Sequence, residues 1–192
     1  MKRKRFVRTM GVAPFVLSWS YLFDRADHGP EKFFFKDDGK IPNSEYPLLV
    51  YHDAIPDGEQ APDGWLLKKF AQENWTNAWT NGIYGFHHYH STSHEVLGIF
   101  SGSALLHLGG QAGARVEVKK GDIIIIPAGV GHKRIRGSNL GVVGAYPDGR
   151  DWDLLRGEVG ERPQADENIK ALPIPASDPF LGKVGGLLDL WK

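Results

Sequence analysis

The chain has 192 residues, of which 41% are hydrophobic and 24% charged, and it contains no cysteine. This composition is typical of a globular domain and excludes disulfides, thiolate zinc sites and cysteine nucleophiles. The net charge is zero, but five basic side chains lie in the first ten residues, and the remainder carries 18 basic and 23 acidic side chains, which argues against nucleic-acid binding.

The N-terminal residues 1–29 are predicted to form a leader of their own. A basic start, "MKRKRFVRTM", precedes an apolar run, "GVAPFVLSWSYLF", as in a secretory signal. However, Pro14 and two serines interrupt this run, no small-residue cleavage site follows it, and it is far too short to span a membrane. We therefore expect a poorly ordered leader on a cytoplasmic protein that does not enter a membrane. The alternatives are export through the leader and a true start at Met10 or later.

The first predicted elements are two short strands and a helix. The segment "KFFFKDDGKIPNSEYPLLVY" contains two apolar runs separated by turn residues. The segment "APDGWLLKKFAQENW" is the best helix candidate, because Leu66 and Phe70, like Leu67 and Ala71, lie four residues apart. These four side chains are expected to form its apolar face.

From Ile83 to Tyr146 the apolar period changes to two residues, which is typical of strands. The six predicted strands are IYGFHHYH, EVLGIF, SALLHLG, ARVEV, DIIIIP and GVVGAYP. Six strands without an intervening helix favour an antiparallel sandwich or barrel over a parallel sheet. The proline-rich C-terminal segment is predicted to be extended and to wrap over the barrel, so that residues 30–192 form one domain.

Four of the eight histidines lie between positions 87 and 94. On a strand, His88 and His90 share one face with Tyr84 because side chains alternate between faces. Two such imidazoles begin about 6.6–6.8 Å apart and can lean onto one ion. Glu95 follows the short connection STSH, which would let its carboxylate turn back toward the same pocket. The pattern predicts a metal site with nitrogen and oxygen ligands.

A third imidazole is available from "GDIIIIPAGVGHKRIRG". Four isoleucines form a buried strand there, and Pro127 ends it. Gly129 and Gly131 then allow the backbone to bend, so that His132 faces inward beside the preceding strand.

Both segments fit the two sequence motifs of the cupin superfamily, which the chain therefore resembles. The first motif is a glycine, five residues, His-x-His, three or four residues, Glu, six residues and Gly, which here falls on Gly82, His88, His90, Glu95 and Gly102. The second motif covers residues 121–136 and falls on Gly121, Pro127, Gly129 and His132, with Arg136 where the family has asparagine. That asparagine is not a metal ligand, so the departure concerns local hydrogen bonding.

The segments "FFFKDDGKIPN", "PLLVYHDA", "GAYPDG" and "LLDLW" are similar to those of the bacterial YjlB-type cupins, from about Lys32 to the end. The resemblance implies an all-β fold, the double-stranded β-helix or cupin jelly-roll barrel, with a few flanking helical segments. It also implies a homodimer formed through the outer sheet.

The resemblance further implies that one divalent metal ion is held in the barrel mouth by His88, His90, Glu95 and His132. A six-coordinate ion would keep two positions for water or substrate. Fe, Mn, Ni, Co and Zn all suit these ligands, and ligand type alone does not choose among them.

Several neighbouring residues remain as alternatives or additions to this site. His94 could replace Glu95 as a ligand if the turn is one residue longer. Tyr84 is a candidate to reach the substrate. A basic cluster lies beside His132, and one of its members, with Arg136 as the candidate, could anchor an anionic substrate; the cluster consists of Lys133, Arg134 and Arg136. Three tryptophans are expected only to pack the helix and the tail on the barrel: Trp75, Trp79 and Trp152.

The function that these observations favour is a metal-dependent enzyme acting on a small oxygen-rich metabolite. No separate acid or base stands out, which favours dioxygenase-like chemistry over isomerisation. The alternative is a non-catalytic cupin that binds or senses a metal and a metabolite. A barrel mouth closed by the C-terminal segment would favour this alternative.

Overall fold

A computed structural model describes residues 29–192, so the predicted leader lies outside the described residues except for its last one. Seven strands and three helices form in the described part of the chain. In chain order they are β1 Glu31–Phe33, β2 Leu48–Tyr51, α1 Pro62–Gln72, β3 Trp75–Asn81, β4 Glu95–Leu108, β5 Ala114–Lys119, β6 Ile123–Ile126, β7 His132–Pro147, α2 Gln164–Ala171 and α3 Leu187–Leu190.

All strand pairs are antiparallel, and the strands follow the order β1-β2-β6-β4-β7-β3, with β5 also paired to β4. The long strand β4 organises the sheet: its first residues pair with β6, its later ones with β5, and β7 follows nearly its whole length. The two runs predicted as separate strands, EVLGIF and SALLHLG, are therefore one strand. This architecture confirms the expected all-β, jelly-roll fold with flanking helices.

Both faces of the sheet are buried at β2 and β6, which explains the uninterrupted isoleucine run in β6. Alternate residues of β2, β4 and β6 face the barrel interior, including Leu48, Leu97 and Ile124. The residues between them pack outward under the helices, including Leu49, Val96 and Ile125. A strand that is covered on both faces needs apolar side chains at every position.

Helix α1 begins at Pro62, whose fixed φ angle suits the first turn of a helix. Leu66 and Phe70 are fully buried against the outer face of the sheet, as predicted. Leu67 is 37% exposed and Ala71 is also exposed, so the prediction was wrong for this second pair. Only one narrow stripe of the helix contacts the sheet.

The C-terminal segment wraps over the outer face, but it is not extended throughout as predicted, because α2 and α3 lie within it. Its end is fixed by Trp191, which is 1% exposed and donates a hydrogen bond from Nε1 to the Pro47 carbonyl at 2.9 Å. No helix in residues 29–192 combines the length and the apolar character needed to cross a membrane.

The strand predicted at 83–90 was wrong. The regular strand of this region is β3, which ends at Asn81, and residues 82–94 form a loop across the barrel mouth. Isolated bridges join this loop to other segments, at His88 with His132 and at Tyr89 with Leu155. Gly82 and Gly85 interrupt the run, and glycine weakens a strand because it adds backbone entropy and no packing side chain.

Candidate metal centre

Three buried histidines converge at the mouth of the barrel. His88, His90 and His132 each offer one ring nitrogen, and these atoms lie within 4.8 Å of one another. The ring centroids of His88 and His132 are 4.0 Å apart, and that of His90 lies 5.6 Å and 5.9 Å from them. The two distant sequence segments therefore meet at a single point.

Backbone hydrogen bonds hold the two segments together. The His88 and His132 main chains exchange a pair of bonds at 3.2 Å and 2.9 Å, and the Gly129 N–H donates to the His90 carbonyl at 2.8 Å. Gly129 has a φ of +88°, and a Cβ atom there would lie 2.3 Å from the Asn43 carbonyl oxygen. Only glycine fits this bend, which brings His132 inward as the sequence predicted.

Each of the three imidazoles is oriented by a backbone carbonyl at its Nδ1 atom. The acceptors are Phe86 for His88 at 3.3 Å, Val130 for His132 at 3.2 Å, and Asp153 for His90. A carbonyl only accepts, so each Nδ1 carries the hydrogen and Nε2 keeps its lone pair. This is the arrangement that metal-binding histidines require.

Glu95 begins strand β4 and points its carboxylate into the same cluster. Its Oε2 atom lies 3.5 Å from His90 Nε2 and 3.3 Å from His132 Nε2, and it has no hydrogen-bond donor among the described residues. Its Oε1 atom accepts a bond from the Tyr146 hydroxyl at 3.1 Å. The lone pairs of Oε2 and of the imidazole Nε2 atoms face one another with no hydrogen-bond donor between them. A cation at this point would stabilise them, so these residues fit a metal ion.

Burial and mutual contact shift the pKa values of the ionisable groups in the cluster. Burial and the neighbouring His132 lower the pKa of His88 to about 2, which keeps this ring neutral. Burial opposes the charge of His90, but the Glu95 carboxylate outweighs it and raises the pKa of His90. Burial likewise opposes the Glu95 charge, but His90 and His132 hold the pKa of Glu95 well below its usual range. The carboxylate is therefore ionised.

The cluster lies in the wall of a cavity of about 510 Å³. This volume is in the range of small-molecule sites. Besides the four donor residues, the lining includes aromatic and polar side chains that a ligand would touch, among them Trp79, Tyr84, Arg134, Tyr146 and Trp152. Trp79 and Trp152 thus have more than the predicted packing role, whereas Trp75 lies in the outer core as expected.

Two sequence-predicted residues do not join the donor cluster. His94 is buried, but its Nδ1 atom accepts a bond from the Ala128 N–H at 2.9 Å and its ring packs against Trp191. It is therefore turned to the opposite side of the sheet. Arg136 is exposed, bonds to Glu117 at 3.1 Å and lies outside the cavity. Tyr84 does line the cavity, with its ring centroid 5.1 Å from that of His88.

Two supporting residues were missed by sequence reasoning. Tyr146 is 1% exposed and bonds to Glu95, yet it stands in an apolar run that indicates only a strand. Asp153 bonds through its carboxylate to the Ser91 N–H at 2.6 Å and through its carbonyl to His90. It stands in an acidic turn, "DGRDWD", with no pattern that distinguishes it from its neighbours.

Two solved structures match part of this chain at low TM-scores. An acireductone dioxygenase from Bacillus anthracis, with a cadmium ion in its active centre, matches with a TM-score of 0.36 and 15% identity over 52% of this chain and 77% of that one. A DUF861 family protein from Thermotoga maritima matches with a TM-score of 0.31 and 19% identity over 52% of this chain and 96% of that one.

Sequence comparisons identify the family. The sequence model of the cupin domain family matches residues 80–139, which contain all four donor residues. The chain is also 40% identical to the Bacillus subtilis (strain 168) protein named "Uncharacterized protein YjlB" over 163 residues, 84% of this chain and 96% of that protein. The chain therefore belongs to the cupins of the YjlB type.

Proposed function

We propose that this cupin is a metal-dependent enzyme that acts on a small oxygen-rich metabolite, with dioxygenase-like chemistry. The observation that carries the proposal is the convergence of three imidazole nitrogens and one carboxylate oxygen on the wall of a cavity large enough for such a molecule. His88, His90, Glu95 and His132 would hold the ion. A bound divalent ion supplies a Lewis acid or, if it is iron, a centre that activates oxygen.

The lining residues support oxygenase chemistry over proton transfer. The carboxylate and imidazoles that line the cavity all belong to the donor cluster. Burial and the nearby Glu95 carboxylate raise the pKa of Tyr146 far above its usual value, so its hydroxyl stays protonated and is a poor base. An isomerase needs a group that removes a proton, and among the described residues no carboxylate or imidazole outside the donor cluster lines this cavity.

The accessibility of the cavity favours a catalytic role over a purely structural one. Its described lining comes from residues 79–152, and the wrapping segment after α2 contributes nothing to it. Tyr84 and Trp152 stand at the mouth and are 48% and 36% exposed. A ligand can therefore approach the donor cluster without displacing the C-terminal segment.

The first test is the metal content of untagged protein, measured by plasma mass spectrometry. We expect about one divalent ion per chain, and its loss in H90A. The control is H52A, since His52 lies outside the cavity and is bonded to Glu31 and Asp122. Metal at equal occupancy in H90A would contradict the ligand assignment.

The second test is oxygen uptake by protein loaded anaerobically with Fe(II). Organic acids, enediols and catechols would be added as a panel, with consumption followed by an oxygen electrode and products by mass spectrometry. Uptake that depends on both iron and one substrate class supports the proposal. Tight binding of metal and ligand with no turnover for any of them would instead support a binding or sensor role.

A further inference from the structure

We propose that Arg134 forms an anion subsite in the cavity, so that the molecule bound beside the metal carries a carboxylate. This inference rests on the proposed metal-dependent function and adds the chemical class of the ligand. Arg134 lines the cavity that contains the donor cluster. Arg136, the basic residue that the sequence analysis singled out, does not line it.

A β-bulge separates the two arginines. In the pairing of β4 with β7, Leu106 lies opposite Arg134, but Leu105 lies opposite Arg136, so that Ile135 is an extra residue. Residues two apart on a regular strand share a face, and a bulge of one residue breaks this alternation. Arg134 therefore shares the inward face of the buried Leu106, whereas Arg136 turns outward.

The guanidinium of Arg134 is available to a ligand. Among residues 29–192 it forms no ion pair or side-chain hydrogen bond, unlike Arg136, which pairs with Glu117, and Arg162, which pairs with Asp37 and Asp166. Its backbone is held at the rim because the Arg134 N–H donates to the Tyr84 carbonyl at 2.8 Å. The side chain of Arg134 therefore starts at the rim of the cavity, and no described residue forms an ion pair with its guanidinium.

The electrostatics of the cavity favour an anion. Among the described residues that line the cavity, Glu95 is the only carboxylate and Arg134 is the only lysine or arginine, and the carboxylate of Glu95 is directed at the donor cluster. With a divalent ion bound, the positive charges exceed the single negative one. An arginine fork matches a carboxylate with two parallel hydrogen bonds, which makes a carboxylate the natural ligand group.

The test compares two small chelators on the metal-loaded protein. Malonate carries two carboxylates. Catechol can bind the ion through two oxygens but has no carboxylate. Binding is measured by calorimetry and by quenching of tryptophan fluorescence, since Trp79 and Trp152 line the cavity. We expect R134Q to weaken malonate binding by about 10- to 100-fold, the effect of losing hydrogen bonds between charged groups, and to change catechol binding by less than about twofold.

Three comparisons make the result specific. R134K should recover part of the malonate affinity because it restores the charge without the fork. R136Q is the matched control and should bind malonate like the wild type. Metal content is measured on every sample, and R134Q should keep its ion because the guanidinium is not a donor.

The possible failures are distinguishable. If wild-type protein takes up no metal, the proposed function fails. If the wild type binds metal but no malonate, or if R134Q binds malonate as tightly as the wild type, the anion subsite is overturned. Loss of metal from R134Q would likewise overturn it, because Arg134 would then support the fold of the donor cluster.

Discussion

The Tyr146 hydroxyl donates a hydrogen bond to Glu95 Oε1 at 3.1 Å and accepts one from Trp79 Nε1 at 2.8 Å. One carboxylate oxygen is therefore occupied, and the other, Oε2, faces the histidines without a donor. These two hydrogen bonds orient the Glu95 carboxylate so that Oε2 is the oxygen that can bind an ion. Tyr146 is a positioning residue, since it acts through Glu95.

Removal of the Tyr146 hydroxyl should loosen Glu95. We expect Y146F to fold normally and to bind the metal about tenfold more weakly, since groups that orient metal ligands contribute about 10- to 100-fold to affinity. Competition with a chelating dye measures this change. Y46F is the control, because Tyr46 packs against Trp191 and does not line the cavity. Unchanged metal affinity in Y146F would show that Glu95 needs no partner.

Asp153 should matter for both stability and metal binding. Its carboxylate accepts bonds from the Ser91 N–H and hydroxyl, and its carbonyl accepts the Nδ1–H of His90. D153N replaces one accepting oxygen by a donor, so we expect a loss of about 2 kcal/mol in the free energy of unfolding.

Urea denaturation of metal-free protein measures the stability effect of D153N, and dye competition measures the metal affinity. The matched control is D151N, because Asp151 is exposed and bonds to Thr92 only through its carbonyl. If D153N and D151N unfold at the same urea concentration, the carboxylate of Asp153 does not hold the ligand loop.

Packing of α1 on the sheet can be tested at one contact. A Cβ atom at Gly98 would lie 2.6 Å from the Leu66 side chain, which is fully buried. We expect G98A to cost about 1–3 kcal/mol of stability from overpacking, and L66A to cost about 2–5 kcal/mol from a cavity. The double variant should cost less than the sum because each change relieves the other.

Thermal and urea denaturation of the four proteins measure this coupling. The control is G64A, where a Cβ meets nothing closer than 3.9 Å and alanine favours the helix. Additive effects of G98A and L66A would mean that the two residues do not touch in solution.

The buried His94 should make the fold sensitive to acid. Burial lowers the pKa of His94 to about 4, against about 6.5 in the unfolded chain. Between these values the unfolded state binds a proton that the folded state does not, so stability falls as pH drops below about 6.5. At pH 5 we expect a loss of about 2 kcal/mol relative to pH 7.

The contribution of His94 is isolated by comparing the wild type with H94Q, which should lose less stability between pH 7 and pH 5. H52Q serves as the control, because the His52 side chain is 44% exposed and the Glu31 and Asp122 carboxylates outweigh its partial burial and raise its pKa. Equal pH dependence in the wild type and H94Q would argue that His94 is already charged in the folded protein.

The sequence by itself determined the kind of fold and the four donor residues that the structure brings together. Alternation of apolar residues is a local property, so most strands could be predicted, as could helix α1. The spacing within each motif is also local, because each motif covers one loop and residues of one or both strands that flank it. The spacing of the motifs therefore predicted the four donor residues correctly, although residues 83–90 do not form the strand that was expected there.

The tertiary structure alone decided which other residues reach the cavity. The bulge at Ile135 turns Arg134 inward and Arg136 outward, and it arises from the pairing of two strands rather than from either strand's sequence. Tyr146 and Asp153 meet Glu95 and His90 only across the fold, through contacts that span 51 and 63 residues. Such contacts depend on register and packing between distant segments, which no local pattern encodes.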